Sequence, residues 1–343
     1  MSEKKKILVP GGTGAMGVYL VPELLNLGYK VDVVSLDDVT SDNPDLRYFK
    51  ANFKDPSVRS ELLTNKYDAI VDFMIYGTEE FRKVYRELLS GCGHYIYLSS
   101  YRVYAGDARP TREDSPRLLD SHSVSHDVEY LASEDYSLYK ARGENILRES
   151  GMSNWTAIRP AITFSKRRFQ LTILEADVVI HRAKAGKKVI LPEDAMSVQA
   201  TMSWAGDVAK MISRLVLNDA ALREVYSVCT AEHNQWRTIA EYYKELIGLE
   251  YVTVSKEDFL SCLTPKREDV KWARWQLDYD RMFDRVMDNS KILAVTGMKQ
   301  SELTTVYDGL KRELSALPTD AFAADTTVRN RLMDEYLVSH KLI

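Results

Sequence analysis

Long apolar runs are missing from this 343-residue chain. A membrane-crossing helix needs roughly 18 or more such residues in a row, so no span is expected. Cysteine is scarce too: Cys92, Cys229 and Cys262 stand far apart, with no CxxC pair and no zinc spacing. That pattern points to a reducing, cytoplasmic setting and to no metal centre. Charge of one sign is also lacking, since 46 Lys and Arg face 50 Asp and Glu for a net of -4. Nothing in that balance draws the chain to nucleic acid or to an anionic membrane. Lys4, Lys5 and Lys6 precede an apolar run that Gly11 ends far too soon for a signal-peptide core. No internal repeat, low-complexity tract or clear linker stands out. With 45% hydrophobic and 28% charged residues, there is ample core for one large domain or a main domain with an appendage.

The most informative stretch lies near the start: Ile7-Leu8-Val9-Pro10-Gly11-Gly12-Thr13-Gly14-Ala15-Met16-Gly17. An apolar run meets Gly11, Gly14 and Gly17, spaced three apart. Val18, Val21, Leu24 and Leu25 then share a helical face up to Gly28, and a second apolar run covers Val31 to Leu36. The order is strand, tight turn, helix, strand. In that context Gly11 allows the sharp turn and Gly14 lets backbone approach a pyrophosphate. Gly17 lets the helix pack close to the strand, and the free N–H groups of the helix start face the phosphates. Pro22 removes a backbone donor, where a kink rather than an end is expected.

Strand and helix signals alternate through about the first 165 residues. Candidate strands are Ile7–Pro10, Lys30–Leu36, Leu46–Ala51, Ala69–Ile75, Tyr95–Ser99 and Thr156–Pro160. A short helix fits Glu79 to Leu89, and a longer one Asp135 to Glu149, ended by Gly151. The polar, Pro-bearing stretch from Asp107 to Asp127 reads as a surface loop. Beyond residue 165 the pattern is less regular, with a strand near Val189–Pro192 and helices over Asp207–Leu217 and Arg237–Ile247. Thr253 to Met287 is rich in charge and aromatics, and buried packing is the expected role of Trp272 and Trp275. The pattern predicts an α/β fold: a Rossmann-type doubly wound parallel sheet over 1–165, with 207–230 returning to it. Residues 166–343 would form mainly a smaller C-terminal substrate-binding lobe and terminal helices.

A second constellation follows. Tyr136 and Lys140 lie four apart on one helical face. Ser99-Ser100-Tyr101-Arg102-Val103-Tyr104 follows a strand, and the carboxyl ends of parallel strands line the ligand crevice. Taken with Gly143-Glu144, Arg159-Pro160, Met202 to Ala209 and Lys291, these motifs resemble an extended short-chain dehydrogenase/reductase of the NAD-dependent epimerase/dehydratase family. The resemblance runs over about residues 5 to 315. It implies Ser100, Tyr136 and Lys140 as the catalytic group. It implies a dinucleotide against Gly11, Thr13, Gly14, Ala15, Met16 and Gly17, with Ser35, Asp37, Asn52, Phe53, Met74, Tyr136, Lys140, Pro160 and Ile162. A free Tyr phenol, with pKa about 10, is a poor base. Lys140 one turn away would favour the phenolate and hold the nicotinamide ribose, and Ser100 would position the substrate oxygen.

Departures from the family pattern narrow the reading. Tyr101 and Arg102 stand where dehydratases carry an acidic pair, so an epimerase or a reductase is expected and a dehydratase is not. Asp37 and Asp38 lie just beyond Ser35 with no Arg nearby for a 2′-phosphate, which favours NAD and leaves NADP open. Asp72 replaces the family's usual residue at its strand end; it either reaches the crevice or is a satisfied structural carboxylate. Between 166 and 188, Lys166, Arg167, Arg168, Arg182, Lys184, Lys187 and Lys188 oppose only Glu175 and Asp177. Arg forks suit phosphate, so Tyr101, Arg102, Arg167 and Arg168 are the candidate contacts for a small-molecule substrate such as a nucleotide sugar; the alternative is a solvated helix face. Two functions compete: a sugar epimerase or reductase, monomeric or homodimeric, and a non-catalytic member that senses a dinucleotide or binds RNA. The basic segment is what keeps the second in play.

Overall fold

The structure, a computed structural model, describes residues 3–265 and 270–342. Seven parallel strands make the central sheet: β1 (Lys6–Pro10), β2 (Lys30–Ser35), β3 (Leu46–Lys50), β4 (Tyr67–Asp72), β5 (Cys92–Leu98), β6 (Trp155–Pro160) and β7 (Glu224–Val228). Their order is β7-β6-β5-β4-β1-β2-β3, and every neighbouring pair is parallel. The fold is Rossmann-like, as expected. Six strands match the sequence reading to within a few residues. The seventh falls in the stretch expected to return to the sheet.

Strand alternation builds two faces. Ile7 and Val9, Val31 and Val33, Ala69 and Val71, and Ile96 and Leu98 pack on one side, against Leu20, Val21 and Leu24 of the Gly17–Asn26 helix and Val208 and Ile212 of the Ala205–Leu215 helix. Leu8, Val34, Ile70, Tyr95 and Tyr97 point the other way, into a core with Phe81, Leu88 and Leu147. The Gly17–Asn26 helix runs through Pro22, which faces solvent. The helix expected to be short is the thirteen-residue Thr78–Ser90. The rest of the chain builds a third core around Phe164, Val179, Leu191, Trp236 and Leu310.

Two expectations change. The Asp107–Asp127 stretch is not simply surface: Thr111, Arg117, Leu118 and Val124 are buried. Trp275 packs beside Tyr130, with ring centres 5.5 Å apart, but Trp272 remains 43% exposed.

Candidate active site

The chain leaves β1 for β2 in one direction and later places β4 on the other side of β1. The carboxyl ends of β1 and β4 therefore frame a crevice. Gly11 turns there with φ +73°, in the left-handed region glycine favours, and its N–H donates to Val34 O at 2.9 Å. A Cβ on Gly17 would lie 2.3 Å from Gly12 O, so this glycine is demanded by the loop itself rather than by a strand. Gly14 is exposed, and a Cβ there would meet only Gly11 O, at 3.2 Å. No side chain caps the start of the Gly17–Asn26 helix, and its first turn holds no acid. The positive end of that helix is therefore open to an anion. Gly11, Gly14, Ala15, Met16 and Gly17 line one wall of a cavity of about 460 Å³. Bare backbone against an uncapped helix start fits the phosphates of a dinucleotide.

The other expected cofactor residues divide. Pro160 and Ile162 line the cavity. Thr13, Ser35, Asp37 and Asn52 stand outside its lining. Ser35 Oγ accepts the Asp37 N–H at 3.0 Å, and Asn52 Oδ1 accepts the Lys54 N–H at 3.0 Å. Asp37 is exposed just past the end of β2, while Asp38 pairs with Lys50 at 2.8 Å. Phe53 does not reach the cavity; it is buried in the core with Leu8 and Val34. Met74 also packs toward that core, while Phe73 and Ile75 on either side of it line the cavity. The Phe73 N–H extends the ladder by donating to Pro10 O at 3.0 Å, and strand-like alternation then turns the odd residues inward. Ile75 is 52% exposed there, which only the structure shows.

At the far end, Ser100, Tyr101, Arg102 and Tyr136 line the same cavity. Ser100 is buried, and its Oγ accepts the Arg102 N–H at 3.2 Å. Tyr136 opens the Tyr136–Glu149 helix, whose cap Asp135 accepts the Ser137 N–H at 3.0 Å. Burial holds the Tyr136 phenol pKa above its usual value, and the Arg102 and Arg168 guanidiniums and a hydrogen bond with Ser100 offset that only in part. Lys140 is fully buried outside the cavity lining. Its Nζ donates to Leu98 O at 2.6 Å and lies 5.6 Å from the centre of the Tyr136 ring. Burial lowers its ammonium to about 7, with Asp72 opposing. Beside Lys140, where the sequence pointed, Arg102 also stands over the Tyr136 ring, its guanidinium 5.1 Å from the ring centre.

Asp72 resolves as a structural carboxylate. It is buried, accepts the Met74 N–H at 2.8 Å, the Tyr95 hydroxyl at 2.9 Å and the Tyr76 hydroxyl at 3.2 Å, and is absent from the cavity lining. Burial raises its pKa to about 6. Glu144 holds the strand ends around Ser100. It accepts from Arg159 Nε at 2.8 Å and Nη2 at 2.7 Å, from Ser99 Oγ at 2.5 Å, and from Arg117 Nη1 at 3.2 Å. Burial opposes its charge, but the guanidiniums prevail and hold its carboxyl at about 2.

The basic segment is mostly spoken for. Arg182 donates to Lys188 O, to Asn330 O at 2.9 Å and to Asp334 at 2.7 Å. Lys184 bonds the carbonyls of Pro318, Thr319 and Ala321, Lys187 pairs with Asp334, and Lys188 bonds Leu342 O. These side chains tie down the Val328–Ser339 helix and the chain leading to it. Arg168 lines the cavity, 3.6 Å from Glu175. Arg167 lies in a neighbouring surface depression. Sequence reasoning missed Arg281, Gln170, Glu175 and Gln276, which also line the cavity and carry no local motif.

The family profile described as the NAD dependent epimerase/dehydratase family matches residues 7–229. The chain belongs to that family. A stem-loop binding protein of 41 kDa, form b, from Arabidopsis thaliana chloroplasts is 25% identical over 244 residues, which cover 66% of this chain and 59% of that protein. Solved structures share the fold, among them these two. UDP-glucose 4-epimerase of Thermotoga maritima, solved with UDP-glucose, has a TM-score of 0.64 at 17% identity, covering 90% of this chain and 97% of that one. Bordetella bronchiseptica WbmH, in complex with NAD+, has a TM-score of 0.66 at 16% identity, covering 91% and 98%. Among the described residues, no helix is long and apolar enough to cross a membrane, and no cluster of His, Cys, Asp or Glu could hold a metal.

Proposed function

We propose that the chain is an NAD-dependent epimerase or reductase of a sugar, with a nucleotide sugar as the favoured substrate form. One observation carries this reading: the glycine loop and the Ser100–Tyr136 pair line a single cavity. Bound NAD would supply the hydride acceptor. The backbone of Gly11, Gly14 and Ala15 would hold its phosphates, and Asp37 beyond β2 would favour the unphosphorylated ribose. Ser100 would hold the substrate oxygen. Tyr136 would take or return its proton, with Arg102 and Arg168 partly offsetting the burial that holds the phenol above its usual pKa. Lys140, under the Tyr136 ring, would pin Leu98 at the end of β5 and so position Ser100. Tyr101 and Arg102 offer no acid for dehydration. The free thiols of Cys92, Cys229 and Cys262 accord with a reducing, cytoplasmic setting.

The test is to saturate the protein with NAD and follow UDP-hexoses and free sugars by absorbance at the reduced-cofactor band and by NMR. Inversion at a carbinol carbon, or net oxidation or reduction, supports the reading. Bound NAD with no turnover on any hydroxyl or keto sugar would sink it.

The stem-loop binding relative favours a second reading, in which the fold binds an RNA hairpin. Against it, most of the basic 166–188 segment is engaged with the C-terminal chain. A gel-shift titration with an RNA hairpin at low salt decides: tight binding that fails on Lys166→Glu and Arg167→Glu would support it.

A further inference from the structure

The reacting end of the cavity holds an arginine whose head group is ion-paired but makes no hydrogen bond among the described residues. Arg102 lines the cavity beside Ser100 and Tyr136, and its side chain is only 13% exposed. Yet among the described residues its guanidinium donates no hydrogen bond, and its buried Nε has no hydrogen-bond partner. Two carboxylates stand near. Asp280 is 3.1 Å from Nε without hydrogen-bond alignment, and Asp135 is 3.8 Å from Nη2. Both are already committed. Asp280 is held by Arg281 and by Arg285 Nη1 at 2.7 Å, and Asp135 caps the Tyr136–Glu149 helix.

The neighbouring arginines are used up. Arg285 donates to Tyr104 O, Tyr279 O and Asp280. Arg281 donates to Thr172 O at 2.9 Å, to the Tyr101 hydroxyl at 3.0 Å and to Asp280. Arg168 is paired at 3.6 Å with Glu175, the carboxylate that lines the cavity. Three guanidiniums thus crowd Asp280; Arg102 and Arg281 both line the cavity, and Arg102 is the one of the three left without a hydrogen bond. A buried guanidinium without hydrogen bonds is costly unless a ligand supplies acceptors, and its planar fork matches the two oxygens of a carboxylate.

Position sets what the anion is attached to. The Arg102 N–H holds Ser100 Oγ at 3.2 Å, and its guanidinium lies 5.1 Å from the centre of the Tyr136 ring. An anion on the fork therefore sits next to the hydroxyl that Ser100 and Tyr136 would handle. We propose that the cavity selects a substrate carrying a carboxylate beside its reacting hydroxyl, a sugar acid of the uronate type, and that Arg102 reads that carboxylate. The proposal deepens the sugar reading above and rests on it.

Calorimetry on NAD-saturated protein tests it with matched probes: D-glucuronate against D-glucose, UDP-glucuronate against UDP-glucose, and glucose 6-phosphate as a non-planar anion. The acid of each pair should bind about tenfold tighter or more, as befits one charge-assisted bidentate contact. In Arg102→Leu the two members of each pair should bind alike, and Arg102→Lys, which keeps the charge without the fork, should fall between. Thermal unfolding checks that both variants are folded. Equal affinities within the pairs, a preference that survives Arg102→Leu, or tighter binding of glucose 6-phosphate than glucuronate would each overturn the proposal. Failure of every sugar to bind would defeat both readings. An acid preference with no turnover on any acid would leave the carboxylate contact standing and defeat the enzyme reading alone.

Discussion

The two ends of the cavity are built in opposite ways. The glycine end is backbone, made by one turn of seven consecutive residues, Gly11 to Gly17, and selective because side chains are absent. The arginine end is made of side chains from distant segments: Arg281 meets the Tyr101 hydroxyl across 180 residues of chain. The glycine end would serve a ligand part that many proteins share. The arginine end depends on tertiary contacts, and its donors are fixed by partners rather than by local shape.

The largest expected effect breaks the arginine end. Tyr136→Phe should lower turnover by on the order of 10²–10⁴-fold, the usual contribution of a positioned proton donor, and leave NAD affinity nearly unchanged. Steady-state kinetics with parallel calorimetry measures both. Tyr139→Phe is the control; its ring packs edge-on against Tyr136 at 5.4 Å, and its effect should be mild.

Next comes the glycine end. Gly17→Ala would drive a Cβ to 2.3 Å from Gly12 O, so the loop must shift. Loss of calorimetrically detectable NAD binding is expected. Gly14→Ala, with its nearest contact at 3.2 Å, should weaken binding less. Equal behaviour of the two variants would show that the loop does not hold the ligand as argued.

Glu144 supports the Ser100 end through stability. Glu144→Gln leaves Arg159 buried without its counter-charge, and a cost of about 3–5 kcal/mol is expected in urea unfolding. The pH dependence follows from a carboxyl whose pKa falls from 4.5 to about 2 on folding. Between those values the unfolded chain binds the extra proton. The stabilisation is therefore complete above about pH 4.5 and is lost as pH falls toward 2. Unfolding free energies over that window should slope less in the variant.

The smallest effect concerns cofactor choice. With Asp37 exposed beyond β2, and the nearby Lys50 paired with Asp38, NAD should bind more tightly than NADP. Asp37→Ala should narrow the gap. Tighter NADP binding to the native chain would reverse this assignment.

Local signals determined the sheet and the glycine loop, because alternation, turn residues and helix faces are properties of neighbouring residues. Six strands, the Tyr136–Glu149 helix and the turn at Gly11 all lie near where pattern placed them. The Ser100 and Tyr136 positions were legible through motif spacing and proved to share one wall. Other features depended on contacts between segments far apart in sequence. Phe73 and Ile75 face the cavity in place of Met74 because the ladder runs one residue past β4. The cations of the 166–188 run split, since the C-terminal chain supplies carbonyls and Asp334 to most of them and none to Arg168. Lys140 lies beside the Tyr136 ring as its spacing suggests, but the fold decides that its ammonium bonds Leu98 O. Arg102 is exceptional only because Asp280 is already held by two other guanidiniums. Whether a charge is free depends on which partners the fold brings within hydrogen-bonding reach, and no spacing rule along the chain encodes that.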